Sequence, residues 1–468
     1  MTYFFETYGC QMNKAESASC EQKLIARGWQ KAENAEKADL IIINTCSVRA
    51  TAETRINGRL GSYTALRREK KNAHENSKGF TLVVMGCMAE RLMNDLKKQF
   101  PVVDYVVGNF QKKFLDEIFE AVENGTKLDE LEETPAYIFD PVSYEKGTFS
   151  AFVPIMHGCN NFCTYCIVPY VRGREISRAP NEILAELDQL AKNGVKEITL
   201  LGQNVNSYCW NKTKNESNTR ANLTSKELGD GTNGSDFIFF PELLRLIAEY
   251  LKKTDSPIEW VRFMSSHPKD LSDELIDVIA SESVICHHIH LPVQHGSSEI
   301  LKRMNRRYTR EHYLELVEKI RSKIPNVSLT TDIMLGFPGE TEEQFEEAVS
   351  LMEKVRYETA FMYYYNPREG TPAATYADQV SVEVKKNRLQ KIIDMQQEIT
   401  KEEMSKQLGQ TIKVLVEGVS HNNDDELIAR TERDERVVFA ADKNLIGQFV
   451  FVKLEQLSGI TFRGKLVT

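Results

Sequence analysis

The chain has 468 residues, of which 41% are hydrophobic and 27% charged, and its formal net charge is −9. That length exceeds one ordinary core, so two to four domains are expected in a normal globular composition. The acidic balance excludes a protein that binds nucleic acid through its overall charge, so any RNA footprint has to be a local basic surface.

The longest apolar runs, such as Leu40 to Ile43 and Leu82 to Met85, are strand-sized. They fall far short of the roughly 20 residues that span a bilayer. Met1 to Glu6 lacks the basic-then-apolar pattern of a secretory signal. A cytoplasmic location with no membrane partner is expected. In a reducing compartment the nine cysteines read as ligands or packed thiols, not disulfides.

The first stretch, residues 1–142, alternates strand and helix. Tyr3 to Tyr8 is β-rich, Lys14 to Arg27 has helical spacing with Gly28 as its stop, and Ala38 to Asn44 is a buried-strand run. Phe80 to Met85 is another such run, and Asp104 to Val107 leads into a helical stretch, Gln111 to Val122. The alternation predicts an α/β domain with an open parallel sheet. Residues 143–378 repeat the rhythm six times. The candidate strands are Ala151 to Met156, Glu197 to Leu201, Glu259 to Ser265, His288 to Pro292, Val327 to Leu335 and Thr359 to Tyr364. Helical patterns between them include Pro241 to Leu251, Leu271 to Ala280, Arg310 to Ile320 and Glu342 to Val355. Six parallel strands with outer helices predict a partial (β/α)6 barrel, because a closed one takes eight.

One segment within it, 209–236, is rich in Asn, Thr, Ser and Gly and reads as a solvated surface insertion. Its four Asn-x-Ser/Thr sequons, at Asn211, Asn215, Asn222 and Asn233, matter only in a secreted protein. Residues 379–468 start with a helical stretch, Val382 to Gln407, followed by short β-rich runs between turns. These run from Thr411 to Val416, Leu427 to Arg430, Val437 to Phe439, Gln448 to Leu454 and Gly464 to Val467. They predict a small antiparallel β-barrel.

Two cysteine patterns carry chemistry. Cys159, Cys163 and Cys166 form C-x3-C-x2-C on one tight loop after a strand, and Gly158 lets that loop approach a cluster closely. Three thiolates suit a four-iron cubane and leave one iron open, as a catalytic centre needs. Zinc would ask for a second knuckle or spaced histidines. Cys10, Cys46 and Cys87 each stand just past a predicted strand, in Tyr8-Gly9-Cys10, Asn44-Thr45-Cys46 and Met85-Gly86-Cys87. Strand ends along one edge of a parallel sheet form its binding crevice, so three such cysteines are expected to meet at a second cluster. Cys20, Cys209 and Cys286 read as structural.

The sequence resembles the radical S-adenosylmethionine methylthiotransferase family over nearly its whole length. The matching words are Thr7-Tyr8-Gly9-Cys10-Gln11-Met12-Asn13, Asn44-Thr45-Cys46-Ser47-Val48-Arg49 and Met85-Gly86-Cys87-Met88-Ala89-Glu90. They continue with Cys163-Thr164-Tyr165-Cys166-Ile167-Val168-Pro169-Tyr170, Leu201-Gly202-Gln203-Asn204-Val205-Asn206 and Gly336-Phe337-Pro338-Gly339-Glu340-Thr341. The spelling Gly-Cys-Gln-Met-Asn resembles the branch acting on N6-isopentenyladenosine of transfer RNA. The insertion and His157 depart from the pattern. The alternatives are a branch acting on threonylcarbamoyladenosine or on a ribosomal-protein aspartate, and a non-catalytic iron–sulfur carrier that binds RNA.

The resemblance implies an N-terminal methylthiotransferase domain, a radical barrel and a terminal RNA-binding barrel of the TRAM type. It implies two 4Fe-4S clusters, on Cys159, Cys163 and Cys166 and on Cys10, Cys46 and Cys87, with S-adenosylmethionine as radical source and methyl donor. Tyr165, Gly202, Gln203, Asn204, Ser265, Gln294 and Asp332 are the expected cofactor contacts, from their place at strand ends or beside the cluster cysteines. Arg303, Arg306, Arg307 and Arg310, and Arg172, Arg174 and Arg178, are either phosphate contacts or solvated faces. His267, His287, His288, His290 and His295 read as structural or cleft-lining. The expected partners are transfer RNA, an electron-donor protein and a sulfur source, and the chain is expected to act as a monomer.

Overall fold

Three apolar strands of the N-terminal region run side by side because each is buried on both faces, which only a helix-covered parallel sheet provides. A computed structural model describes residues 1–47, 50–73, 79–128, 131, 137–140, 144, 147–218, 236–421 and 423–467. Strands β1 (Thr2–Thr7), β2 (Gln30–Lys31), β3 (Leu40–Thr45), β4 (Thr81–Gly86) and β5 (Tyr105–Val107) pair in parallel in the order β2-β1-β3-β4-β5. Along β3 the side chains alternate between two cores, as a period of two requires. Leu40 and Ile42 pack towards α1 (Gln11–Ala26) and α4 (Leu115–Asn124), through Cys20, Leu24 and Phe119. Ile41 and Ile43 pack towards α2 (Ala50–Ala73) and α3 (Cys87–Gln99), through Ile56, Leu60 and Met88.

The sequence reading leaves α2 and α3 unassigned. In α2 the charged residues and Gly58 and Gly61 dilute the pattern, though Ile56, Leu60 and Tyr63 hold the i, i+4, i+7 spacing. The Cys166 side of the molecule begins with β6 (Ser150–Pro154), β7 (Met156–His157), α5 (Val168–Arg172), β8 (Ile176–Ser177) and α6 (Pro180–Lys192). Then come β9 (Glu197–Leu201), β10 (Cys209–Asn211), β11 (Glu216–Ser217), β12 (Phe237–Phe239), α7 (Phe240–Lys253) and β13 (Trp260–Phe263). The region closes with α8 (Asp273–Ser281), β14 (His288–His290), α9 (Ser298–Arg303), α10 (Arg310–Lys323), β15 (Ser328–Leu335), α11 (Glu342–Val355) and β16 (Thr359–Tyr364). The six expected barrel strands are all present. They pair in parallel as β6-β9-β13 and β14-β15-β16, and a parallel bridge between Val261 and Ile285 joins the two sets.

The insertion is corrected at its two ends. Cys209–Asn211 pairs antiparallel with both Glu216–Ser217 and Phe237–Phe239, and Asn211 is buried with its Oδ1 accepting from the Lys214 N–H. Residues 219–235, including Asn222 and Asn233, lie outside the described residues, as do Val48 and Arg49.

Helix α12 (Val382–Ser405), capped by Ser381, leads into β17 (Thr411–Ser420), β18 (Asn423–Thr431), β19 (Arg436–Ala440), β20 (Phe449–Ser458) and β21 (Thr461–Val467). Each strand has two partners, in the order β17-β18-β19-β21-β20. The expected antiparallel pairing is corrected at one seam. The chain leaves β19, crosses to β20 beside β17, and returns as β21 parallel to β19. This unit docks where the barrel strands begin. Arg262 donates to Glu432 O and Thr431 O, each at 2.7 Å, and Arg433 reaches Asn326 O and Glu358. The thiol-bearing loop lies past the other ends of the strands. No helix among the described residues is long and apolar enough to cross a membrane.

Candidate active site: two thiol trios at sheet ends

The loop carrying Cys159, Cys163 and Cys166 is shaped by its backbone. Gly158 takes φ +80°, and a Cβ there would run into the Arg174 carbonyl, so only glycine fits. Its N–H donates to Gln203 Oε1 at 2.6 Å. Cys159 N–H donates to Gly173 O at 3.1 Å, Cys166 N–H to Cys163 O at 2.9 Å, and Thr164 N–H to Met304 O at 3.1 Å. Asn305 Nδ2 donates to the carbonyls of Asn161 and Phe162. Burial pushes the Cys166 thiol up to about 12, with the neighbouring Cys163 adding to the rise, and burial likewise raises Cys159. Three thiols crowded in a largely buried loop fit a cationic iron centre, which takes thiolates and releases their protons. Arg306 Nη1 stands 3.5 Å from Cys163 Sγ.

The second trio is built by neighbouring strands. Cys10 follows β1, Cys46 follows β3 and Cys87 follows β4, and these three strands are adjacent in the sheet. The order reverses between β1 and β3, which is the switch point where an open parallel sheet binds its ligand. Cys10 is the N-cap of α1 and Cys87 the first residue of α3, so helix N-termini, which favour negative charge, face this corner. Asn13 is the buried hub. Its Oδ1 accepts from Cys10 Sγ at 3.3 Å, and its Nδ2 donates to Asn44 Oδ1 at 3.0 Å and Thr45 O at 2.8 Å. Thr45 Oγ1 donates to Met85 O at 2.6 Å. A Cβ on Gly9 would stand 3.0 Å from Cys46 Cβ, and one on Gly86 would meet Asn44 and Thr45. Asn109 Nδ2 lies 3.9 Å from Cys87 Sγ. Cys10 is exposed, whereas Cys46 and Cys87 are buried.

Among the described residues no group of three or more His, Cys, Asp or Glu side chains is gathered as for one metal ion. A cubane takes its thiolates on separate corners, farther apart than ligands sharing one ion.

The cofactor candidates fall into two sets. Tyr165, Gln294 and Asp332 belong together. Tyr363 OH donates to Gln294 Oε1 at 2.8 Å, and Asp332 raises Tyr363 after burial does. Burial, opposed by Arg306 and supported by Cys163 and Tyr363, raises Tyr165. His290 Nε2 stands 3.7 Å from Asp332 Oδ2. The other set is Gly202, Gln203, Asn204 and Ser265, at the ends of β9 and β13. Gln203 braces the cluster loop through Gly158, and Gly202 is pressed against Met156. Ser265 takes φ +70° and its carbonyl accepts from Val205 N–H. Asn204 Nδ2 donates to Asp270 Oδ2, while Asn204 Oδ1, Ser266 Oγ and His267 Nε2 are buried without a hydrogen-bond partner. Buried polar atoms carry a cost until satisfied, so this region fits a polar ligand such as S-adenosylmethionine. His267, expected to be structural or cleft-lining, carries one of these unpartnered atoms. Ser266 and Tyr363 escaped the sequence reading, and adjacency to Ser265 is the signal that could have found the first.

Three of the basic candidates are corrected. Arg172, Arg178 and Arg306 are buried, held by Glu16, Glu186 and the Pro292 carbonyl respectively, so they are unavailable to phosphate. Arg310 is tied to Gly296 O, Glu347 O and Ser350. Arg303 pairs with Asp378 at 2.7 Å, and Arg174 is exposed with its guanidinium 4.4 Å from the Phe162 ring centre. Four of the five histidines have internal partners: His288 and His290 meet Thr330, His295 meets Glu340, and His287 lies beside Glu432, whereas the His267 ring is bonded only at Nδ1, by the Lys269 N–H. His157 is buried and stacked on Tyr137 at 3.5 Å, and burial followed by Arg172 keeps it neutral.

Family models match in three places: Uncharacterized protein family UPF0004 over residues 2–108, Radical SAM superfamily over 153–352 and TRAM domain over 405–467. The fold is shared with the radical S-adenosylmethionine methyltransferase TsrM of Kitasatospora setae. Its structure, with cobalamin and a [4Fe-4S] cluster bound, aligns at a TM-score of 0.57 and 14% identity over 80% of this chain and 77% of that one. Closer in sequence is the tRNA-2-methylthio-N(6)-dimethylallyladenosine synthase of Treponema denticola, 50% identical over the full length of both chains. The protein of that name from Treponema pallidum (strain Nichols) is 49% identical over 100% of this chain and 99% of its own. That of Clostridium botulinum (strain Langeland) is 42% identical over 99% and 96%. The chain belongs to the tRNA-2-methylthio-N(6)-dimethylallyladenosine synthase family.

Proposed function

We propose that the protein attaches a methylthio group to C2 of N6-isopentenyladenosine at position 37, next to the anticodon of transfer RNA, using S-adenosylmethionine as radical source and methyl donor. The observation that carries this reading is the pair of thiol trios on two adjoining parallel sheets. One sits in a tight buried loop and the other at the sheet's switch point, within a chain of this family. Cys159, Cys163 and Cys166 would hold one 4Fe-4S cluster and Cys10, Cys46 and Cys87 the other. Clusters bound there would supply the electron that opens S-adenosylmethionine and the sulfur that enters the product.

The chain's own residues prepare that chemistry. Arg306 keeps a fixed positive charge against Cys163, and the partly buried rings of Tyr165 and Tyr363 line the barrel end beside it. Gln294 and Asp332 offer acceptors for the ribose and amino groups of the cofactor. Asn204, Ser266 and His267 bring polar atoms that await a partner. Cys10, the exposed member of its trio, leaves that corner open to reactants.

The C-terminal strands are read as a small barrel that grips RNA away from the reacting base. On its outer face Phe451 is 54% exposed beside Val467, and Lys453 stands opposite Lys465, a stacking ring among cations. An electron-donor protein and a sulfur source complete the cycle of a cytoplasmic monomer.

Anaerobic reconstitution with iron and sulfide, followed by a count of both per chain, tests the reading. Two clusters, together with transfer RNA lacking the methylthio group in cells without the protein, are expected. A single cluster, or unaltered transfer RNA, would remove it; loss of a methylthio group from threonylcarbamoyladenosine would move it to the other branch.

A further inference from the structure

The two trios are joined by one short piece of chain. Helix α5 begins two residues after Cys166, and the Gly173 carbonyl just beyond its last residue accepts from Cys159 N–H at 3.1 Å. Both ends of α5 are thus anchored to the first trio. Its inner side meets the second: Ile167 and Val171 pack on Cys87. Asn109 Nδ2, beside Cys87, donates to Val171 O at 2.6 Å. The last residue, Arg172, is 2% exposed and donates to Glu16 at 2.9 Å and to Asn13 Oδ1 at 3.3 Å, the same oxygen that accepts from Cys10. Lys112 pairs with Glu16 at 2.5 Å from the far side.

We propose that Arg172 is a positioning residue, and that α5 is a rigid strut that fixes how far apart, and in what orientation, the two trios face each other. The inference rests on the methylthiotransferase reading, in which a radical made at one trio and a sulfur held at the other must meet on the same adenine carbon. A planar guanidinium that bonds Glu16 and Asn13 at once sets an angle as well as a distance, which a point charge cannot. The peptide link from Cys166 and the bond from Cys159 make the strut part of the first loop. The bonds of Arg172 and Val171 carry its position to Cys10 and Cys87. Reacting atoms misplaced by about 1 Å lose rate by about 100-fold.

The test uses the reconstituted full chain with Arg172→Met and Asn109→Ala. In R172M, Lys112 still neutralises Glu16, so no buried charge is stranded. N109A cuts the other tether and touches no charge. Three readouts are taken: methylthiolated product per 5′-deoxyadenosine, the spin–spin interaction between the two reduced clusters, and hydrogen exchange of residues 167–173 in the metal-free chain. The product ratio is expected to fall about 100-fold in R172M and about tenfold in N109A. The cluster–cluster interaction should weaken in both, and the strut should exchange faster. An unchanged ratio with unchanged cluster interaction in both variants overturns the proposal. A wild-type chain that assembles only one cluster would instead overturn the functional reading beneath it.

Discussion

Replacing Arg262 by methionine should loosen the C-terminal unit from the barrel without touching a thiol. The guanidinium is buried, and its Nε donates to Glu197 Oε2 at 2.7 Å while its two terminal nitrogens hold the carbonyls of Glu432 and Thr431. It also lies 4.9 Å from the ring centre of Trp260, which meets Phe449 of the docked unit at 4.8 Å. Met keeps the apolar stem but strands Glu197, whose remaining bond comes from Ser150 Oγ at 3.0 Å. Leaving one partner of a buried pair uncompensated costs about 3–5 kcal/mol. The double variant R262M/E197L removes both charges and should recover about half of that loss, because the two carbonyls still lack their donor. Fluorine-labelled tryptophan gives a separate resonance for each of the three tryptophans. Trp260 reports the interface and Trp29 the N-terminal core. In a urea titration the Trp260 transition should move to lower denaturant while that of Trp29 stays. A shift of Trp260 below about 1 kcal/mol, or an equal shift of both probes, would refute the assignment of Arg262 as the docking bond.

Further outcomes follow from the same geometry. Gly158→Ala puts a methyl into the Arg174 carbonyl at a left-handed φ, so iron bound per chain after reconstitution should fall by about one cluster, or four irons, with the Cys10 trio still loaded. Tyr363→Phe releases Gln294 and should weaken S-adenosylmethionine binding about tenfold, measured by equilibrium dialysis. Burial holds His288 down at about 4 against an ordinary 6.5, with Asp434 opposing. The fold therefore favours its neutral form. The stability this contributes is complete above pH 6.5 and disappears as pH falls from 6.5 towards 4. His288→Asn should flatten the melting temperature over that window, as read by scanning calorimetry. Cys87→Ala should abolish methylthio product while S-adenosylmethionine cleavage at the other trio continues, as read by 5′-deoxyadenosine release.

What was written locally was legible in the sequence alone. Three cysteines within eight residues meet whatever the rest of the chain does, because the loop between them is too short to separate them. The repeated strand-then-cysteine pattern placed Cys10, Cys46 and Cys87 at one sheet edge, since adjacent parallel strands end side by side. Apolar runs bounded by turns likewise marked all six barrel strands. The tertiary structure alone decided which arginines are available to RNA. Arg172 finds its carboxylate 156 positions away in Glu16, so a guanidinium that reads as a phosphate contact or a solvated face becomes half of a buried ion pair. It also decided the parallel seam between β19 and β21 and the buried ends of the Asn-rich insertion. The docking of the last five strands against the beginnings of the barrel strands belongs with these. In each case the deciding partner lies far along the chain, and no periodicity or spacing records which distant group will neutralise a charge or cover an edge.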